Sequence, residues 1–149
     1  MINIKDYENI VGTQSISEIY RLSEKLKDIK VTNINSTAVG GGVAEILSKM
    51  VPLLNQLGVK TSWGIIKGDQ KFFSITKKIH NALHGKQESF SADEFDYFLE
   101  IGRQNMNEMK LDDDIVFIHD PQPIVLVEKK ESLKNKWIWR KTTSLERFR

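Results

Sequence analysis

The chain has 149 residues, a length that favours a single domain, and its 22 basic and 20 acidic residues leave a net charge of +2. This balance gives no support to nucleic-acid binding or to attraction to a membrane surface. The absence of cysteine excludes disulfides and thiolate metal sites. The start of the chain contains acidic residues and has no apolar run, unlike a secretory signal. We therefore expect a cytoplasmic protein.

The first predicted elements are a helix and a strand. Ser15 and Glu18 have the spacing of a capping box, which predicts that a helix begins there. Val31 and Ile34 give residues 30–35 the pattern of a short strand.

A loop over residues 35–42, rich in glycine, follows this strand and leads into a predicted helix over residues 43–57. Gly58 is placed as the stop of that helix. Pro52 lies inside the helical pattern and predicts a kink or a break, because proline cannot donate to the preceding turn. The remaining elements, in chain order, are a strand over residues 59–67, a helix over 72–83 ended by Gly85, a long helix starting at Ser91, a strand over 114–119, a short helix over 124–130 and a strand at 137–139.

The alternation of strands and helices predicts an α/β domain. Right-handed crossovers would give a Rossmann-like open parallel sheet with helices on both faces. Ligands of such sheets bind at the carboxyl ends of the strands. The loop over residues 35–42 and the segment over residues 119–123 both fall at such ends.

The glycine loop has two interpretations. Gly40, Gly41 and Gly42 let the backbone come close to a bulky ligand, and the following helix start favours a phosphate. Alternatively, the glycines form a tight turn between strand and helix. The sequence matches neither of the common phosphate-loop patterns. Glu45, in the first turn, would be stabilised there by the helix dipole and could also bond sugar hydroxyls.

Two groups of polar residues also have alternative interpretations. Asp120 ends a buried strand, where it could contact a ligand or merely cap the next helix. His80 and His84 are four residues apart on one helix, a spacing that permits zinc binding. No glutamate follows His80 as it does in the H-E-x-x-H motif, which favours polar packing or sugar binding instead.

Three aromatic residues could stack on a sugar ring, namely Trp63, Phe72 and Phe73. We expect at least two of them to pack in the core, because aromatic side chains are mostly buried.

Five segments at consistent spacing carry a family resemblance. They are residues 35–47 (NSTAVGGGVAEIL), 51–54 (VPLL), the strand around Trp63, residues 72–85 (FFSITKKIHNALHG) and 119–123 (HDPQP). Together they resemble the trehalose synthases, which transfer glucose between a nucleotide sugar and free glucose, and the related trehalose phosphorylases. The likeness covers most of residues 5–140.

The resemblance implies half of a retaining glycosyltransferase. Such enzymes have the GT-B fold, two Rossmann-like domains with the active site between them. Residues 1–140 would be the N-terminal, acceptor-side domain and 141–149 a divergent tail, with the C-terminal donor-binding domain absent. After Trp137–Arg140 the family continues with a Cys-His-Ile-Asp segment, which this sequence lacks. The resemblance therefore implies a hexosyltransferase domain that is inactive alone.

The resemblance also implies ligands and site residues. Glucose or trehalose would be bound, and UDP- or ADP-glucose would be shared with the missing domain. Gly41 and Gly42 would face the donor phosphate. The candidates for sugar contacts are Glu45, His80, Asn81, Asp120 and Gln122. No protein nucleophile, cofactor or metal is implied.

Two other functions are compatible with the sequence. One is a non-catalytic sugar-binding module or an inactive truncated fragment of the enzyme. The other is a flavodoxin-like protein that binds a nucleotide or phosphate. We also expect self-association or instability of the chain alone, because a cleft face built to meet a second domain exposes apolar surface.

Overall fold

The computed structural model describes residues 3–141. Its elements in chain order are a 3-10 helix (Ile4–Tyr7), α1 (Glu8–Val11), α2 (Thr13–Glu24), β1 (Lys30–Asn35), α3 (Gly42–Gln56), β2 (Lys60–Ile65), α4 (Gln70–Leu83), α5 (Ala92–Glu108), β3 (Ile115–His119), a second 3-10 helix (Ile124–Ser132) and β4 (Lys136–Arg140). The four strands form one parallel sheet in the order β2-β1-β3-β4. The predicted Rossmann-like α/β fold is confirmed. Apart from Lys141, the predicted divergent tail lies outside the described residues.

The strand order places the helices on both faces of the sheet. The chain leaves β1 through α3 to reach β2 on one side, then returns through α4 and α5 to β3 on the other side of β1. Because parallel crossovers are right-handed, this reversal of direction puts α3 on one face and α4 and α5 on the opposite face. The carboxyl ends of β1 and β3 therefore lie side by side at the point where the order reverses, which is the usual ligand position of such sheets.

The main hydrophobic core lies between the sheet and the two helices, α4 and α5, that cover one of its faces. Ile34 of β1 and Val116 and Ile118 of β3 point to this face, since the register aligns Ile34 with Ile118. Phe72 is fully buried beneath them and stacks on Phe98, with ring centroids 5.9 Å apart. Burying such a side chain contributes about 2 kcal/mol to folding. This packing fixes α4, and with it the two histidines at the end of that helix.

The prediction that at least two of the three aromatic residues pack in this core is wrong, because only Phe72 belongs to it. Phe72 is a core residue, while Phe73 remains 37% exposed. Trp63 is half-buried, and its indole Nε1 donates to the side chain of Asn35.

The predicted starts or ends of several helices are confirmed. Gly58 has φ 85° and ends α3 in a Schellman motif, in which the Val59 N–H donates to the Leu54 carbonyl at 3.0 Å. Gly85 ends α4 in the same way. Ser91 forms a capping box with Glu94 at the predicted start of α5. The helix α4 begins two residues earlier than predicted, because the Asp69 carboxylate caps it through the Phe72 N–H.

One local prediction is wrong, and of the kink or break predicted at Pro52 the break is wrong. The Ser15 capping box does not form, because α2 begins at Thr13 with Gly12 at the N-cap position. Ser15 then lies inside the first turn and donates to the Val11 carbonyl at 2.8 Å. Pro52 does not break α3, which continues to Gln56. Pro52 is exposed, so solvent can reach the carbonyl that loses its backbone donor.

Candidate functional site

A cavity of about 370 Å³ opens at the carboxyl ends of the two central strands. The β1–α3 connection supplies residues 35–37 and 40–44 to its lining, the end of α4 supplies His80 and His84, and the loop after β3 supplies Asp120 and Gln122. Three elements far apart in sequence therefore converge at the position where open parallel sheets bind ligands.

The wall on the α3 side is built from the start of that helix. Gly41 occupies the N-cap position with φ 83° and ψ 149°, a conformation essentially restricted to glycine. It offers no side chain to cap the helix, so no side-chain acceptor from this position covers the N–H groups of the first turn. These groups and the helix dipole favour a negatively charged ligand.

Gly42 differs from Gly41, because its backbone φ is not in the positive range. A Cβ built on Gly42 meets no atom within 4 Å. Neither backbone conformation nor close packing therefore requires glycine at this position. Its missing side chain leaves open space beside the cavity that it lines.

The wall on the α4 side carries two neighbouring imidazoles, whose ring planes are inclined by 31°. The rings of His80 and His84 lie 4.2 Å apart, and His84 Nδ1 donates to the His80 carbonyl at 2.7 Å. Burial lowers the pKa of His80, and the neighbouring His84 adds to this effect. The nearby Asp120 acts in the opposite direction. A predominantly neutral His80 can both donate and accept hydrogen bonds at neutral pH.

Asp120 lies in the loop after β3 with φ 65°, the left-handed conformation that aspartate tolerates better than most residues. Its N–H donates to the Arg140 carbonyl at 2.8 Å, and its own carbonyl accepts from Trp139 Nε1 at 3.0 Å. These bonds to β4 and its end fix the loop. The next helix has Pro123 at its N-cap position, so Asp120 does not occupy the capping position considered from sequence.

Gln122 lines the cavity and carries a buried amide oxygen that no described atom bonds. His119, immediately before this loop, is fully buried, and its Nε2 lies 3.1 Å from Asn33 Oδ1. Burial lowers the pKa of His119, with a smaller contribution from the positive charge of Arg140. The side chain of His119 is not part of the described cavity lining.

Five of the predicted site residues come together around the cavity: Gly41, Gly42, His80, Asp120 and Gln122. The structure places the other two outside its lining. Glu45 is exposed in the first turn of α3, and Asn81 donates to Glu88 Oε1 at 2.9 Å. Sugar contacts by any of these residues stay a prediction.

Sequence reasoning missed two features of the lining. His84 was not among the candidate sugar contacts that the resemblance implies, although its i, i+4 relation to His80 already places both on one helix face. Asn35 was treated as the start of a loop, yet it is 2% exposed and bonds Trp63. That bond depends on strand pairing, which no local pattern reveals.

Within residues 3–141, no group of three or more His, Cys, Asp or Glu side chains is arranged to hold a metal ion. The two histidines of α4 therefore lack the further ligands that a zinc site of the described residues would need. Over the same residues, no helix combines the length and apolar character needed to cross a bilayer.

A parallel α/β sheet has a cavity at its central carboxyl edge, lined in part by polar side chains and bounded by a glycine-rich strand-to-helix loop. This arrangement defines a Rossmann-like ligand-binding domain. Comparison with known proteins narrows this class. Residues 33–147 match the family described as "Trehalose synthase, N-terminal domain". The chain belongs to this family.

Individual relatives agree with this assignment. The chain is 41% identical to a trehalose synthase of Pyrococcus horikoshii and 42% identical to one of Thermococcus litoralis, each over 92% of this chain. A trehalose phosphorylase of Pleurotus pulmonarius is 28% identical over 56% of this chain and 12% of its own length. The chain spans about a third of the length of the trehalose synthases it matches, 33% and 34% for the two named here.

Proposed function

We propose that this chain is the acceptor-side domain of a cytoplasmic retaining glycosyltransferase that forms or breaks trehalose. In this proposal glucose or trehalose occupies the cavity, and the diphosphate of UDP- or ADP-glucose lies against the glycine loop. The relatives named trehalose synthase and trehalose phosphorylase support the substrate class. The acceptor-side domain is assigned to residues 1–140.

The observation that carries the proposal is the unbonded amide oxygen of Gln122. A buried acceptor without a donor costs about 1–3 kcal/mol, so such atoms in folded proteins are normally bonded. The oxygen itself is buried, so a sugar hydroxyl in the adjoining cavity would supply the missing donor once the Gln122 amide turns toward it. The same hydroxyl could accept from a second group, and His80 and Asp120 line the same cavity with donor and acceptor atoms.

The glycine wall supports the phosphate part of the proposal. Gly42 leaves space that no described side chain fills, and the first turn of α3 presents N–H groups beside that space. Hydrogen-bond donors that are already in place stabilise the charge that develops on a departing diphosphate, without reorganisation during the reaction. This wall would thus favour transfer, while the opposite wall would orient the acceptor sugar.

No side chain is assigned as a nucleophile. The family resemblance assigns most of the nucleotide site, and the basic residues that stabilise the leaving phosphate, to a second domain. We therefore expect the 149-residue polypeptide to bind sugar without transferring glucose. Turnover of UDP- or ADP-glucose by the purified polypeptide would contradict this part of the proposal.

Calorimetric titration of the purified chain with glucose and trehalose, then with UDP-glucose and ADP-glucose, tests the proposal. Gln122→Ala removes the unbonded oxygen and should weaken sugar binding roughly threefold to tenfold, the value of one neutral hydrogen bond. Gln104→Ala is the matched control, because Gln104 is exposed on α5 and bonds only its neighbour Glu100 among the described residues.

The two variants distinguish the outcomes. Weaker binding in Gln122→Ala alone supports the cavity as the sugar site. Equal sugar affinities of the two variants would indicate that the sugar does not contact Gln122. Failure of all four ligands to bind the wild-type chain would refute the proposed function for this polypeptide.

A further inference from the structure

The side chain of Asn35 connects the edge strand β2 to the glycine loop. Asn35 is the last residue of β1 and is 2% exposed. Its Oδ1 accepts from Trp63 Nε1 at 2.7 Å, and its Nδ2 donates to the Thr37 carbonyl at 2.8 Å. The indole N–H can only donate, so the orientation of the amide is determined by its partners.

The connection continues along the loop. Thr37 Oγ1 donates to the Val39 carbonyl at 2.6 Å and accepts from the Val39 N–H at 3.3 Å. Val39 precedes Gly40 and Gly41, both of which have positive φ. The hydrogen-bonded chain therefore runs from Trp63 on β2 to the residue that adjoins the glycines.

The backbone also holds Asn35 in place. Its carbonyl accepts from the Ile66 N–H at 3.0 Å, just beyond the end of β2. Two of these three bonds tie Asn35 to β2 and its end, and one ties it to the loop. The rigid sheet can impose its geometry on the loop through this one residue.

We propose that Asn35, oriented by Trp63, is a positioning residue that holds the glycine loop in the shape lining the cavity. Glycine-rich segments have many accessible conformations, so a loop of this kind needs external bonds to adopt one. A loop already fixed before binding loses less conformational freedom when a ligand arrives. Trp63 accordingly acts through its indole N–H and not as a stacking surface for sugar.

Amide hydrogen exchange of residues 36–42 tests this proposal without any ligand. Trp63→Phe keeps the ring but removes the donor to Asn35, and Asn35→Asp removes the donor to Thr37. Each variant should increase exchange of the loop amides on the order of tenfold, as expected for loss of one bond from a locally opening segment. Thr37→Val changes the loop itself. It should increase amide exchange of the loop residues after Thr37 to the same extent, with little influence on exchange in the sheet.

Trp137→Phe is the matched control. Trp137 Nε1 also donates to an asparagine, Asn135 Oδ1, at 2.7 Å, but this pair lies at the opposite end of the sheet. The control should leave exchange at residues 36–42 unchanged. Faster loop exchange in the Trp63, Asn35 and Thr37 variants, but not in the control, supports the proposal. Unchanged loop exchange in folded Asn35→Asp and Thr37→Val proteins would overturn it.

A second measurement rests on the proposed function. The Asn35→Asp and Thr37→Val variants should lower the affinity for UDP-glucose more than the affinity for glucose, because the loop faces the diphosphate in that proposal. If the wild-type chain binds neither ligand, the proposed function fails while the exchange result still decides the role of Asn35. Equal losses for both ligands would contradict a role through the glycine loop.

Discussion

At the residue scale, the two aspartates with positive φ provide a test of the cavity. Asp120 has φ 65° and Asp28 has φ 71°. Asparagine tolerates this conformation equally well, so Asp→Asn keeps the backbone at either position. Asp120→Asn should weaken glucose binding roughly tenfold, because hydrogen bonds to a charged acceptor are stronger than those to a neutral one.

Asp28→Asn serves as the control for Asp120→Asn. It removes an exposed ion pair with Lys60 of 2.8 Å, which contributes little to stability. Calorimetry should find wild-type affinity in this variant. Loss of affinity in both variants would indicate a general effect of charge, and retained affinity in Asp120→Asn would exclude a carboxylate contact with the sugar.

His119 should make the stability of the chain depend on pH. Burial lowers the pKa of His119 in the folded protein, whereas in the unfolded chain it titrates near its ordinary value of about 6.5. As the pH falls through that value, the unfolded state binds more protons than the folded state does. The free energy of unfolding therefore falls as the pH decreases. His119→Gln can still donate to Asn33 but does not titrate. Its urea midpoint should therefore decrease less than that of the wild type between pH 7.5 and pH 5.5.

The wild-type midpoint also includes the effect of His80, whose pKa is lowered by burial as well. His80→Gln measures that part separately. Identical pH dependence in His119→Gln and wild type would mean that His119 is accessible to protons in the folded protein.

At the element scale, short-range chemistry made the helix ends predictable where one side chain or one glycine determines them. Ser91 and Gly58 act through bonds to residues three to five positions away, so their signals are complete in the sequence. The capping box predicted at Ser15 is wrong because a serine three residues before a glutamate can also lie inside the first turn of a helix. The N-cap position is taken by Gly12, so Ser15 lies inside that turn. The bond between His119 and Asn33 joins residues 86 positions apart and could not be predicted.

Gly41 and Gly12 form a natural pair for testing the α3 wall. Each occupies the N-cap position of a helix with φ 83°, and ψ is 149° at Gly41 and 154° at Gly12. A Cβ meets no atom within 4 Å at either position, so Gly→Ala adds only backbone strain of about 1–3 kcal/mol. Both variants should lose similar stability in thermal unfolding.

The two variants should differ in ligand binding. Gly41→Ala shifts the start of α3 and should abolish or greatly weaken binding of UDP-glucose, while Gly12→Ala should bind it as the wild type does. Calorimetry below the unfolding temperature of both variants separates affinity from stability. Equal affinities would show that the start of α3 does not contact the ligand.

At the scale of the whole molecule, alternation of elements predicted a parallel sheet with ligands at the carboxyl ends of its strands. The cavity lies there because β1 and β3 are neighbours. The sequence did not predict which strands pair, since all four are short and their order depends on long-range packing. The convergence of Gly41, His80 and Asp120 was accordingly expected from the family resemblance and the strand-end rule, whereas the role of Asn35 required the register.

The surface around the cavity should promote self-association of the isolated chain. Val39 is 80% exposed in the glycine loop, and Trp139, which bonds the Asp120 carbonyl, is 48% exposed. Burying one valine side chain contributes about 1.5 kcal/mol, or roughly tenfold in a dissociation constant. Sedimentation velocity should thus find concentration-dependent association that Val39→Ser weakens about tenfold or more.

Phe95→Ser is the control, since Phe95 is 54% exposed on α5 beside a different, apolar groove. Association lost only in Phe95→Ser would assign the contact to that groove, and a monomer at all concentrations would contradict self-association altogether.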